Sequence, residues 1–291
     1  MFKRLREDLM LAEAPRWHDG RLYASDFYAK EVVAIDLDGD REVIAVVPGQ
    51  PGGLGWSPRG ELLIVSMRDA TVLRFDGGSL GAVADLSSSS AVLNDMVVSA
   101  NGHAYVGGMP DLYSLLSEGV TAVDVELPPQ PLYMVDAGSG QSRIAADDIA
   151  FPNGAVITPD GRCLIVAETM GLRLLAFDIA PDGTLSNRRV WAELGRMPDG
   201  ICLDAEGCIW VAVPHPPEDQ GVLRVAEGGE ITDRIATEWS AVAVELGGPD
   251  GEDLFRVEAR VLAVERMAEA CVRGNARVSV GKVPVPGVRR R

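Results

Sequence analysis

Residues 151–168, FPNGAVITPDGRCLIVAE, contain the unit that decides the fold. An apolar run leads into the turn Pro-Asp-Gly, which ends at Gly161, and a second apolar run rich in Leu, Ile and Val follows. Asp-Gly and Asn-Gly pairs are typical of hairpin turns because glycine accepts a positive φ without steric cost. Runs rich in β-branched residues are typical of strands. The unit therefore predicts two short strands joined by a tight turn.

The same unit recurs along the whole chain. Turns that end in glycine and precede an apolar run occur at six positions: Gly20, Gly60, Gly102, Gly161, Gly207 and Gly251. Successive glycines are 40, 42, 59, 46 and 44 residues apart. A period of about 40–45 residues with several strands per repeat is typical of a propeller blade. We therefore predict an all-β fold, a six-bladed β-propeller formed by one domain over residues 1–291.

Two segments depart from the regular repeat. The longest gap between turn glycines predicts an insertion loop at about 109–132. Helical periodicity is scarce, and its best candidate, residues 261–273, could equally contain a strand. A two-sheet sandwich is the alternative architecture for so many short strands, but it does not explain the period.

Composition narrows the classes of partner. The 291-residue chain has a formal net charge of −16, which argues against nucleic acids and anionic membrane surfaces because both require a basic footprint. No apolar stretch approaches the ~18 residues of a membrane span. The N-terminal segment MFKRLREDLMLAEAP has too short an apolar part for a signal peptide. We expect a cytoplasmic protein that acts on a small molecule.

The cysteines and histidines lack the spacing of a metal site. The four cysteines form no C-x-x-C pair, and the three histidines show neither H-x-x-x-H nor H-E-x-x-H. We interpret the cysteines as buried reduced thiols. These patterns argue against a zinc site of the usual spacing and against a histidine-rich metal site.

Polar residues occur at one position of the repeat, upstream of the turn glycines. This position is seven residues before Gly20 and eight residues before each of the other five turn glycines. In repeat order it holds Glu13, Gly52, Asn94, Asn153, Asp199 and Ala243. Because the innermost strands of a propeller line a central channel, residues at one repeated register converge there from different blades. Four of the six repeats would therefore supply a side-chain oxygen to the channel.

The four oxygen-bearing side chains favour a cation site. Two carboxylates that face each other in a channel repel unless a cation lies between them. Carboxylate and amide oxygens are hard ligands that suit Ca²⁺, Mg²⁺ or Mn²⁺. The alternative is that the Asn-Gly and Asp-Gly pairs at Asn153 and Asp199 only shape turns, and that Glu13 is an ordinary surface carboxylate.

Three segments resemble a known family. They are EAPRWHDGRLYASD at 13–26, FPNGAVITPDGRCLIVAET at 151–169 and PDGICLDAEGCIWVA at 198–212. The sequence resembles the family of gluconolactonases, senescence marker protein (regucalcin) and luciferin-regenerating enzyme over nearly its whole length. The resemblance implies a six-bladed propeller with one catalytic divalent cation, and sugar lactones are the best-known substrates of that family.

The resemblance also assigns roles to the residues of the shared register. The family's metal ligands match Glu13, Asn153 and Asp199, and its substrate- or water-binding asparagine matches Asn94. We therefore expect a metal-dependent lactonase that acts on sugar-acid or related small lactones, with Asp199 as general base. The expected cofactor is one Ca²⁺ ion, with Mg²⁺, Mn²⁺ or Zn²⁺ as alternatives. An organophosphate or ester hydrolase of the same propeller class, or a non-catalytic calcium-binding propeller, would use the same ligands.

One position departs from the family pattern. Sugar-lactonase members often carry an arginine two residues before the asparagine that matches Asn94, and here that position is Val92. A guanidinium can make paired hydrogen bonds to substrate hydroxyls, which a valine cannot. The metal ligands are therefore expected to be intact, whereas the specificity for sugars is expected to be weak.

Overall fold

The computed structural model describes residues 2–111, 127–215, 219–260 and 271–288. Within these ranges the chain forms 24 strands and no helix. The strands form six four-stranded antiparallel sheets, which are the blades of a β-propeller. The predicted fold class is therefore confirmed.

Each blade has the same order of strands from the channel to the rim. The innermost strands are β2 (Ala12–His18), β6 (Pro51–Trp56), β10 (Val92–Val98), β14 (Pro152–Ile157), β18 (Ile201–Leu203) and β22 (Ser240–Gly247). The second strands are β3 (Arg21–Asp26), β7 (Leu62–Ser66), β11 (His103–Met109), β15 (Cys163–Glu168), β19 (Ile209–Val213) and β23 (Asp253–Ala259). Blades 1 to 6 are numbered in this order.

The outer half of each blade contains two more strands. The third strands are β4 (Glu31–Ile35), β8 (Thr71–Phe75), β12 (Gln130–Asp136), β16 (Arg173–Ile179), β20 (Gly221–Val225) and β24 (Ala276–Lys282). The outermost strands of blades 1 to 5 are β5 (Arg41–Val46), β9 (Leu80–Asp85), β13 (Ser142–Ile149), β17 (Leu185–Glu193) and β21 (Ile231–Ala236). Blade 6 takes its outermost strand, β1 (Lys3–Leu9), from the start of the chain, where it pairs with β24. This pairing closes the ring.

The six predicted turn glycines all lie in hairpins between an innermost and a second strand. Their φ angles lie between 71° and 85°. An L-residue rarely adopts this left-handed conformation, so glycine removes a local steric cost at each turn. The local requirement of the turn therefore explains the repeat that is visible in the sequence.

The hydrophobic core is divided among the blade interfaces. Six buried apolar clusters are present, and each draws its side chains from two neighbouring blades. Two buried tyrosines add hydrogen bonds across these interfaces. Tyr105 of blade 3 donates to the Gly183 carbonyl of blade 4 at 2.9 Å, and Tyr133 donates to the Ser89 carbonyl at 2.6 Å. Burial of apolar surface between blades therefore holds the ring together.

The predicted insertion and the helix candidate are only partly covered by the described residues, whereas all four cysteines are described. The predicted insertion at 109–132 falls between β11 and β12, and its residues 112–126 lie outside the described residues, so it remains a prediction. Residues 261–270 of the helix candidate also lie outside them. All four cysteines are free, but only Cys202 and Cys208 are buried, while Cys163 and Cys271 are partly exposed. The expectation of four buried thiols is therefore wrong for two of them.

The innermost strands approach one another too closely for side chains at certain positions. A Cβ on Gly53 would overlap the Met96 amide nitrogen of blade 3, and a Cβ on Gly154 would lie 2.7 Å from the Ile201 nitrogen of blade 5. Neither glycine has a positive φ. Backbone contact between blades, and not turn geometry, therefore requires glycine at these two positions.

We expect Gly53→Ala to lower the free energy of unfolding by about 1–3 kcal/mol, because the added methyl group forces two strand backbones apart. Urea denaturation followed by circular dichroism measures the change. The matched control is Gly81→Ala in β9, where a Cβ would meet no atom within 4 Å. Equal free energies of unfolding for the two variants would contradict the close packing of β6 against β10.

Candidate functional site

β-Bulges shape the innermost strands where the predicted site residues lie. In β10, Leu93 pairs with Gly108 and Met96 pairs with Val106, so Asn94 and Asp95 together lie opposite a single residue. In β14 the equivalent register shift lies between Pro152 and Ala155, at Asn153. A bulge bends the strand and redirects side chains that simple alternation would place on opposite faces. The bulges therefore explain how consecutive residues can serve one site.

Glu13 and Asp199 occupy equivalent places in blades 1 and 5. A register shift in β2 follows Glu13, and Ala14 has a positive φ of 48°. Asp199 lies just before β18, and its amide donates to the Ala212 carbonyl of the second strand at 3.0 Å. The next residue, Gly200, donates to the Val242 carbonyl of blade 6 at 2.9 Å. Asp199 is therefore held by the backbones of two blades.

The two carboxylates of the predicted metal site lie close enough to repel each other. Burial raises the pKa of Glu13 well above its usual value, and the charges of Asp199 and Asp95 raise it further. Burial also raises the pKa of Asp199 to about 8, with a further increase from Asp95 and a partial offset from a hydrogen bond to Asn153. Both side chains are only partly exposed, and acids in such a setting are stabilised in their charged form by a bound cation.

Asn153 lies between Asp199 and the second strand of its own blade. Its amide nitrogen donates to the Thr169 hydroxyl at 3.2 Å, and its side chain is hydrogen-bonded to Asp199. Thr169 donates in turn to the Pro198 carbonyl, adjacent to Asp199, at 2.8 Å. Because these contacts use the amide nitrogen as donor, the amide oxygen of Asn153 is the atom suited to a cation.

Asn94 is held in the same way from the neighbouring blade. Its side chain is 9% exposed, and its amide nitrogen donates to the Pro152 carbonyl at 3.3 Å, one residue before Asn153. Its amide oxygen is therefore suited to accept a hydrogen bond from water or substrate. Asn94, Asn153 and Asp199 therefore lie on the neighbouring blades 3, 4 and 5 and are linked by hydrogen bonds. The charge of Asp199 also raises the pKa of Glu13 in blade 1.

The alternative that the pairs Asn153-Gly154 and Asp199-Gly200 only shape turns is wrong. Asn153 lies within β14, and neither Gly154 nor Gly200 has a positive φ. Instead, a Cβ on Gly200 would lie 2.5 Å from the Ala243 Cβ of blade 6. The two glycines therefore allow the innermost strands to pack closely. The side chains of the preceding residues, Asn153 and Asp199, remain available to the channel.

The remaining two blades offer no polar side chain at this register. A Cβ on Gly52 would lie 2.8 Å from Cγ of Met67 and 2.7 Å from the Asn94 carbonyl oxygen, so a thioether side chain occupies that space. Ala243 is buried against Gly200. The ring of polar residues is therefore incomplete on two sides.

Sequence reasoning did not identify three residues of this region. Asp95 is adjacent to Asn94 and influences both acids, Arg16 pairs with Asp95, and Thr169 links Asn153 to the Pro198 carbonyl. Asp95 directly follows Asn94, and Arg16 lies three residues after Glu13. Alternation along a strand, however, would have turned Asp95 away from Asn94. Only the bulge in β10 explains its position.

The donor set fits a hard divalent cation. It contains two carboxylates and two amide oxygens, which Ca²⁺ accepts with water as a further ligand. Among the described residues no group of three or more His, Cys, Asp or Glu side chains is arranged to hold a metal ion. A cation at this site would therefore depend on the asparagine oxygens in addition to Glu13 and Asp199.

Val92 lies two residues before Asn94 in an apolar environment. It is 3% exposed, pairs with Met109 across β10 and β11, and belongs to the cluster that also contains Met67. Phe27 and Phe151 pack against the same cluster and are partly exposed. This side of the site therefore presents hydrocarbon and thioether groups near Asn94.

Comparison with known proteins assigns the family. A profile of the SMP-30/gluconolactonase/LRE-like region matches residues 11–260. The chain belongs to this family. Among the described residues, no helix is long and apolar enough to span a membrane.

Individual relatives are distant in sequence. Over 183 residues the chain is 24% identical to the adipocyte plasma membrane-associated protein Hemomucin of Drosophila melanogaster. The match covers 59% of this chain and 31% of that protein, so the chain spans about a third of the length of this relative.

Two solved structures share the fold over almost their whole length. A luciferin-regenerating enzyme has a TM-score of 0.80 at 19% identity, with 99% of this chain and 97% of that chain covered. A calcium-binding protein, regucalcin, from Agrobacterium tumefaciens has a TM-score of 0.79 at 22% identity, with 99% and 95% covered. At these identities the likeness shows the fold alone.

The raised pKa of Asp199 predicts that the metal-free protein loses stability as the pH rises. The unfolded carboxyl loses its proton near pH 3.8 and the folded one near pH 8, so the folded state binds the extra proton between these values. The free energy of unfolding should therefore fall from about pH 4 to about pH 8 and then level off. Asp199→Asn should remove more than about 1.4 kcal/mol of this fall, the equivalent of one pKa unit.

Urea denaturation of chelator-treated protein at pH 5 and pH 8 measures this difference. The control is Asp38→Asn, which changes an exposed carboxylate in the turn between β4 and β5. It should keep the wild-type pH dependence. An Asp199→Asn variant with that same dependence would show that burial of this acid is not costly.

Proposed function

We propose that this protein is a divalent-metal-dependent lactonase whose site is formed by Glu13, Asn94, Asn153 and Asp199. The observation that carries the proposal is the pair of partly buried acids, Glu13 and Asp199. Burial raises the pKa of both, and the charge of Asp199 raises the pKa of Glu13 further. Family membership supports hydrolysis of lactones as the reaction class. Two acids beside two anchored asparagines are suited to a cation and a carbonyl substrate.

Each site residue has a separate role in the proposed hydrolysis. Glu13, Asn153 and Asp199 would hold the cation, whose positive charge would polarise a lactone carbonyl and acidify water. Asp199 would accept the proton of a water molecule as general base, since the raised pKa of its carboxyl favours proton uptake. The hydrogen bond from Asn153 orients that carboxylate. Asn94, anchored to the Pro152 carbonyl, would orient substrate or water.

Ca²⁺ is the cation that we propose. The donors are all hard oxygens, and Ca²⁺ accepts amide oxygens and waters in a flexible shell. The name of the similar Agrobacterium protein, a calcium-binding protein, supports the same cation. Mg²⁺, Mn²⁺ and Zn²⁺ remain the alternatives for a metal titration.

A non-catalytic calcium-binding propeller is the second candidate. The description of the Agrobacterium regucalcin as a calcium-binding protein favours it. Repeated turnover of a lactone that stops on chelation and resumes with added Ca²⁺ distinguishes the two functions, because a binding protein has no turnover.

We propose the cytoplasm as the location. The four cysteines, all free in the structure, are consistent with a reducing compartment. Detection of the protein outside the cytoplasm by cell fractionation would contradict this proposal.

Glu13→Ala and Asp199→Ala are expected to lower kcat/KM by about 10²–10⁴-fold, because each removes a charge from the cation and Asp199 also supplies the base. His18→Ala and His215→Ala serve as controls. His18 stacks on Trp56 with ring centroids 3.9 Å apart, and His215 is exposed after β19, so both variants should keep most of the activity. Steady-state rates with a lactone at saturating Ca²⁺ measure the effect, and full activity of the Asp199 variant would remove the proposed mechanism.

The protein is expected to discriminate only weakly between different lactones. Val92 and the methionines packed near it offer no donor to a sugar hydroxyl, and an apolar wall discriminates weakly. The ratio of kcat/KM among gluconolactone, another aldonolactone and a simple alkyl lactone should therefore stay below about 100-fold, or about 2.7 kcal/mol. A larger preference for one sugar lactone would show that other residues replace the missing arginine.

A further inference from the structure

Arg16 is a charged side chain buried beside the candidate site. It lies on β2, three residues after Glu13, and is 4% exposed. One guanidinium nitrogen donates to the Pro15 carbonyl at 2.8 Å. A second nitrogen, Nη2, donates to Oδ1 of Asp95 at 3.0 Å, to Oδ2 at 3.3 Å and to the Met96 carbonyl at 2.7 Å. A buried charge is tolerated only when it is paired and hydrogen-bonded in this way.

The side chain of Arg16 connects blade 1 with blade 3. The blade between them has glycine at positions 52 and 53, and Gly53 packs directly on the backbone of Asp95 and Met96. A larger residue at Gly53 would displace β10 and the pair with it. The glycines of blade 2 therefore give Arg16 access to Asp95.

Asp95 is the third carboxylate near the two acids of the candidate metal site. It directly follows Asn94 in the bulge of β10, and its charge raises the pKa of both Glu13 and Asp199. Its Oδ1 atom also accepts a hydrogen bond from the Met96 amide at 2.7 Å. Burial lowers the pKa of Arg16, whereas the charges of Asp95, Glu245 and Cys202 raise it. Asp95 is therefore held at its present position by Arg16 and by its own strand.

A carboxylate beside a residue of the metal site would compete for a hard cation unless another group held it. A catalytic metal needs coordination positions that water or substrate can occupy, and a further protein carboxylate would fill one or two of them. We propose that Arg16 is a positioning residue that binds Asp95 and keeps its carboxylate out of the metal coordination shell. This inference rests on the proposed metal-dependent function. It adds a separate requirement, that the site must exclude a third carboxylate to remain open.

A purely structural role for Arg16 makes a different prediction. If Arg16 only compensates for the buried charge of Asp95, its loss should disorder β10 and weaken the binding of the cation. If Arg16 withholds Asp95 from the cation, its loss should strengthen cation binding and at the same time reduce turnover. If the loss of Arg16 acted only by removing a positive charge, Ca²⁺ would bind more tightly, but the number of water molecules on the bound ion would not change.

The test compares wild type with Arg16→Met, Asp95→Asn and the double variant, after chelation and Ca²⁺ titration by calorimetry. Arg16→Met is expected to bind Ca²⁺ at least about tenfold more tightly and to show a kcat for the lactone at least about tenfold lower. Terbium luminescence lifetimes in H₂O and D₂O count the waters on the bound ion, and Arg16→Met should lose about one or more of them. The double variant should regain the kcat and the water count of Asp95→Asn.

Two controls keep the outcome clear. Arg16→Lys retains a charge that can donate to Asp95 but loses part of the hydrogen bonding, so its affinity, water count and kcat should lie between those of wild type and Arg16→Met. Should Arg16→Met not fold by circular dichroism, Arg16→Gln replaces it with the same expected directions. Weaker Ca²⁺ binding or an unchanged water count in the folded Arg16 variant, with normal binding by wild type, would overturn this inference alone. Failure of the wild-type protein to bind a divalent cation would overturn both this inference and the proposed function.

Discussion

The close packing of six innermost strands around one channel is the constraint on which the rest of the structure depends. Where two of these strands touch, as at Gly154 against Ile201 and at Gly200 against Ala243, the glycine has no room for a side chain. The polar side chains of Asn153 and Asp199 precede these two glycines, and a bulge in β14 redirects the side chain of Asn153. The packing of the scaffold and the position of the candidate site therefore have one physical origin.

The concentration of acidic groups in the channel is the main electrostatic cost of this arrangement. Glu13 and Asp199 each have a raised pKa because they are partly buried and because Asp95 adds a further negative charge. Among the described residues, Asp95 is the one of these three acids that forms an ion pair, and its partner is Arg16. A divalent cation would compensate the other two, which gives the site a chemical reason to bind one.

The blades differ although their repeat is regular. Blades 1, 3, 4 and 5 place an oxygen-bearing side chain at the shared register, whereas blade 2 has Gly52 and blade 6 has Ala243. At Gly52 the space is occupied by Met67, and the apolar cluster continues to Val92. A channel with donors on one side and apolar groups on another can orient an asymmetric substrate, such as a lactone with a polar carbonyl and a carbon ring.

The sequence by itself determined the number of blades and the register of the four polar residues. Each hairpin turn needs a glycine with positive φ, which is a local requirement, and Gly20, Gly161 and their equivalents meet it without reference to the rest of the chain. Equivalent positions of a repeat must occupy equivalent places in a ring, so Glu13 and Asn153 could be grouped from spacing alone. The tertiary structure alone decided the contact of Arg16 with Asp95, 79 residues apart, and the bond from Thr169 to the Pro198 carbonyl. These contacts depend on bulges and on the distances between blades, which arise from packing among distant segments and leave no period in the sequence.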